Sequence, residues 1–156
     1  MAFYTATFEA VAVTAAQDFF EVAPADDKPV KFCGIMLSQS SDVGDAAEEI
    51  LRITITRVPT HTSGSGGTTP TPRLISSVGT AAGCTVEANN TTIATTAGTL
   101  ENIYAYQFNI RVGLELFLPP EFQPIFAQAS AGVVRLAAAP TDSLTMSGTL
   151  LFEELY

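Results

Sequence analysis

The side chains that could do chemistry are few and stand apart. His61 is the only histidine. A general base must be held in place by a second group, and no residue near His61 in the chain offers one. There is no Gly-x-Ser-x-Gly elbow and no His or Cys pair at metal-ligand spacing. Asp42, Asp45, Glu48 and Glu49 form the densest acidic group. Their oxygens could serve Ca²⁺, but the spacing is not that of an EF-hand loop, and a capped, solvated turn is the simpler reading. Glu153 and Glu154 are neighbours on a strand-like stretch and so point to opposite faces, which prevents them from sharing an acid–base site. They read as the charged edge of a terminal strand. Ser63-Gly64-Ser65-Gly66-Gly67 lacks the Lys-Ser/Thr and the helix that a phosphate cradle needs. Cys33 lies in the apolar run 30–37 and reads as a small buried hydrophobe. Spacing alone leaves a Cys33–Cys84 bridge open. No catalytic, cofactor-binding or metal-binding residue is therefore assigned, and a non-enzymatic protein without a cofactor is expected.

The elements that would carry these residues have period two. Tyr104, Tyr106, Phe108, Ile110 and Val112 alternate with Gln107, Asn109 and Arg111, the pattern of a half-buried antiparallel strand. Similar runs near residues 3–13, 18–23, 29–38, 50–58, 73–78, 83–87, 91–95, 103–112, 114–118, 132–138 and 143–153 merge into about eight to ten strands. Turn residues fall between most of them. The expectation is one all-β domain over residues 1–156: an antiparallel β-sandwich, jelly-roll-like, with little helix beyond a turn at 45–49. The segment 60–73 has almost no apolar side chain and reads as a flexible, exposed Gly/Ser/Thr/Pro loop.

Composition narrows the partners. Seven Lys+Arg face sixteen Asp+Glu, a net charge of −9, and the cations are scattered. A nucleic-acid binder needs a basic footprint, so direct nucleic-acid contact is not expected, nor is an anionic membrane surface. No apolar run approaches the ~20 residues of a membrane-spanning helix. Charge is replaced by 22 Ala and 20 Thr, which argues against a free monomer with a highly charged surface. Leu118-Pro119-Pro120-Glu121-Phe122-Gln123-Pro124 holds three prolines that fix its shape. It is either a lid over the end of the sandwich or a subunit contact. The ten Phe and four Tyr, without Trp, read as core rather than as a sugar-binding platform.

Three stretches carry a resemblance: residues 35–52, residues 138–150, and Phe108-Asn109-Ile110-Arg111-Val112-Gly113 leading into Leu116-Phe117-Leu118-Pro119-Pro120-Glu121. Together they resemble small virion-associated proteins of tailed bacteriophages and prophages. That resemblance implies a structural virion protein, chiefly a capsid decoration or cement protein. Such a protein would bind the major capsid protein as a homo-oligomer, with a trimer favoured. It would be made in the bacterial cytoplasm and sit on the capsid surface. The alternatives are a tail-tube, connector or fibre-base protein, or a carbohydrate- or receptor-binding jelly roll. The candidate contact residues are Phe3 and Phe8, on an N-terminal segment that could serve as an arm, and Leu118, Pro119, Pro120 and Phe122.

Overall fold

The computed structural model describes residues 2–41 and 48–156. Its strands are β1 (Ala2–Val13), β2 (Gln17–Ala23), β3 (Val30–Gln39), β4 (Ile50–Pro59), β5 (His61–Thr62), β6 (Arg73–Leu74), β7 (Thr85–Asn90), β8 (Thr95–Thr96), β9 (Glu101–Asn109), β10 (Leu114–Phe117), β11 (Ile125–Phe126), β12 (Ser130–Leu136) and β13 (Leu144–Glu154). One 3-10 turn, Pro120–Phe122, interrupts them. The expected turn at 45–49 and the acidic group from Asp42 to Asp45 lie largely outside the described residues.

Eleven of these strands form two antiparallel sheets, and β5 and β8 pair as a separate two-stranded ribbon. The first runs β10-β3-β13-β1-β6, with β11 also paired to β3; the second runs β7-β2-β12-β4-β9. Period two decides which side chains meet between them. In β13, Leu144, Met146, Leu150 and Phe152 are buried, while Thr145, Ser147 and Thr149 between them are not. The second sheet answers with Phe20, Val22, Ile53, Ile55, Val134 and Leu136. Fully burying each such side chain contributes roughly 1.5–3 kcal/mol.

Two departures from alternation shape this core. Val134 pairs with Phe20 and Arg135 with Asp18, so Phe19 is left out of register. Both Phe19 and Phe20 are then buried against Phe8, at ring-centroid distances of 5.9 and 5.3 Å. In β1 the register shifts between Phe8 and Val11, where Ala10 has φ of 49°. Such a bulge re-aims the strand so that Val13 reaches the core as well.

Two expectations are corrected here. The segment Phe3–Phe8 is not an arm: β1 is hydrogen-bonded between β13 and β6, and Phe8 is buried. An apolar alternating stretch gains more by joining a sheet than by staying free. Glu153 and Glu154 are not on an edge, because β13 lies between β3 and β1. Both are buried: Glu153 pairs with Lys31, and Glu154 accepts the backbone N–H groups of Gly83 and Cys84 at 2.7 and 2.8 Å.

The segment 60–73 is exposed but pinned along its length. His61 and Thr62 pair with β8. Ser65 exchanges backbone hydrogen bonds with Thr92, and Thr68 with Ala88, at 2.8–3.0 Å. Its glycines serve close approach: a Cβ on Gly67 would sit 2.0 Å from the Ala88 carbonyl oxygen, and one on Gly64 would sit 2.3 Å from that of Thr92. What reads as flexibility in composition is contact in the fold.

Candidate interaction surface

The proline-rich loop joins β10 to β11 alongside β3 of the first sheet and reaches β9 of the second. Leu118 donates its N–H to the Cys33 carbonyl at 3.0 Å, and Phe32 donates to that of Pro124 at 3.1 Å. The Tyr104 hydroxyl on β9 reaches the Phe122 carbonyl at 2.6 Å. Within the loop, the Gln123 amide donates to the Leu118 carbonyl at 2.8 Å. The two expectations for this loop are thus compatible. Leu118 packs against the core as part of a lid, while Pro119, Pro120 and Phe122 face solvent.

Phe122 is 61% exposed, and Phe117 and Ile125, on the strands that flank the loop, are 57 and 47% exposed. Single exposed apolar residues are ordinary, but several on one fixed framework mark an interaction site. Sequence reasoning found Phe122 through its prolines. It missed Phe117, on the expected strand 114–118, and Ile125, which falls between the expected strands. Phe3 is 48% exposed but belongs elsewhere: β13 separates β1 from β3. With Ala2, Leu74, Ile75, Ser76 and Val78, Phe3 lines a shallow depression of about 380 Å³ at the β1–β6 edge. Phe8 cannot contact a partner from its buried position.

Charged side chains are spent on holding the sheets and loops. Asp18 accepts Arg135 Nε and Nη2 at 2.6 and 3.1 Å and the Ala94 N–H at 2.7 Å. Arg135 Nη2 also donates to the Ala94 carbonyl at 2.9 Å. Glu21 accepts the Gly64 N–H at 3.0 Å and the Asn90 amide at 3.2 Å. The Asn90 carbonyl oxygen receives the Gly67 N–H at 3.1 Å. No sequence motif marks these anchors; the only trace is a carboxylate inside an apolar run.

His61 Nδ1 is buried and makes no hydrogen bond among the described residues. Among the described residues, no three His, Cys, Asp or Glu side chains are placed to hold a metal ion. Glu48 accepts the Asn109 amide at 3.2 Å, and Glu49 accepts the Thr141 N–H.

Both cysteines are free thiols. Burial pushes the Cys84 thiol up to about 12, helped by the nearby Glu154 carboxylate. Burial also raises Cys33, which Lys31 partly offsets. Because the folded-state value of Cys84 lies above its ordinary value of 9.0, its contribution is complete below about pH 9. It is lost as pH rises from there through about 12, by up to about 1.4 kcal/mol per pH unit. Urea unfolding at successive pH values should show this decline in the native chain, and Cys84→Ala should flatten it.

These features define an all-β, antiparallel two-sheet sandwich with a braced loop that holds Phe122 in solvent. The chain matches no protein-family model, no curated protein and no solved structure.

Proposed function

We propose that the protein is a non-enzymatic structural component of a tailed-phage virion, a decoration protein that binds the major capsid lattice through the Phe117–Ile125 side of the sandwich. The observation that carries this reading is the braced loop. Three prolines and hydrogen bonds to both sheets hold Phe122 and its neighbours in place before any partner arrives. Binding then costs little ordering entropy.

Two further features support it. Eight principal strands alternate between the sheets as β1-β13-β3-β10 and β2-β12-β4-β9. This supports a jelly-roll reading, an architecture common in viral shells. The net charge of −9 suits a surface that stays off nucleic acid and remains soluble at high copy number. The contacts would stabilise only the assembled lattice, by mass action.

The test is co-sedimentation with assembled capsids. Phe122→Asp places a charge where a desolvated anchor is required and should weaken binding at least tenfold, the equivalent of about 1.4 kcal/mol. The melting temperature should stay unchanged, because Phe122 is largely exposed. Undiminished capsid binding by this variant would overturn the assignment of the surface. A virion content of about a dozen copies, rather than hundreds, would overturn decoration in favour of a tail or connector part.

A further inference from the structure

We propose that β9 is a self-association edge, along which two copies of the chain join their second sheets into one continuous sheet about a two-fold axis. Among the described residues, β9 pairs only with β4. Its other side therefore presents backbone N–H and C=O groups that no strand satisfies. Edge strands are usually protected by lysine, proline, inward-pointing charge or extreme shortness. β9 has nine residues, no lysine and no proline, and its one charged residue is Glu101 at the first position. A register shift opposite Ile55/Thr56 leaves Ile103 unpaired, which kinks the beginning of the strand. Tyr104–Asn109 is the regular stretch that remains.

A second copy is the occupant because this edge is self-complementary in both charge and side chain. A chain of net charge −9 repels its own copies over most of its surface. Around β9 the balance is different. Arg52 and Arg57 on the neighbouring strand and Arg111 just beyond it stand against Glu101, Glu48 and Glu49, three cations to three carboxylates. An antiparallel pairing centred on Tyr106 sets Tyr104 opposite Phe108 of the second copy, and Ala105 opposite Gln107. No like charges meet, and aromatic residues pair across the strands, an arrangement worth roughly 0.2–1 kcal/mol per pair beyond the backbone bonds. The contact is isologous, so it closes at two copies, in place of the three-fold association that the phage resemblance implies.

The native mass of the full chain, measured by light scattering across a concentration series, tests the pairing. The expected result is twice the chain mass of 16.4 kDa. Gln107→Lys and Ala105→Lys, both at exposed positions of β9, should halve it while the melting temperature holds. Hydrogen exchange supplies a readout that needs no variant: amides within Tyr104–Phe108 should exchange at least tenfold more slowly above the dimer dissociation constant than below it. A monomer or trimer in the native chain would overturn the proposal. So would unchanged mass in folded lysine variants, or edge amides whose exchange ignores concentration. A monomer whose β9 amides are protected only by capsids would assign the edge to a different partner. Capsid binding is scored separately by the Phe122 variant, so either proposal can fail alone.

Discussion

Asp18→Ala is expected to destabilise the protein by about 3–5 kcal/mol and to lower its melting temperature by on the order of 10 °C. The Asp18 side chain is fully buried and that of Arg135 is 11% exposed. Removing the carboxylate leaves the guanidinium nearly dry, with only the Ala94 carbonyl to hold it. It also strands the Ala94 N–H, which Asp18 alone receives. Such a loss exceeds the value of the pair itself, because an unpaired buried charge must be rehydrated or expelled. Asp18→Ala with Arg135→Met should therefore be more stable than Asp18→Ala alone. Urea unfolding of the three chains decides it: a double variant no better than the single one would refute the account.

Phe32→Ala should cost a similar amount, about 3–5 kcal/mol. Phe32 is 1% exposed and its ring centroid lies 4.6 Å from that of Phe126. Across the core both rings press on Gly132 of β12. A Cβ there would approach Phe126 Cδ2 to 2.5 Å and Phe32 Cζ to 2.7 Å. The sheets are thus spaced by two aromatic rings against a residue with no side chain. Gly132→Ala alone should overpack this point and cost about 1–3 kcal/mol. Combined with Phe32→Leu, which makes room, it should cost measurably less than the sum of the two single changes. Strict additivity in denaturant unfolding would show that the three groups do not share one packed space.

The architecture was legible because it depends on alternation, which is local. Tyr104, Tyr106 and Phe108 pair with Ile55, Ile53 and Leu51 and share their face, as the sequence pattern indicates. The exposure of Tyr106 was not legible, because it depends on β9 being an edge, and sheet order is not written in any one segment. The same gap misplaced Glu153 and Glu154. Adjacent residues did point to opposite faces, one to Lys31 and the other to Gly83 and Cys84, but the strand proved central. The proline loop could be found because proline constrains its own backbone. The anchors at Asp18 and Glu21 could not, since their partners, Arg135 and Asn90, lie far along the chain.

The pairing of β1 with β13 has a consequence in time. Ala2 lies opposite Glu154, and the register continues to Val13 opposite Leu144. β3 takes the other side of the same strand. Residues 2–13 and 30–39 thus emerge well before the strand that sits between them. Until residues 144–154 have left the ribosome, the first sheet is missing its middle strand. Local pairings such as β4 with β9 can form before that point. Completing the first sheet requires pairing this strand with partners distant in sequence, contacts that are intrinsically slow to form. While it is pending, the nascent chain exposes the apolar edges most prone to misassembly.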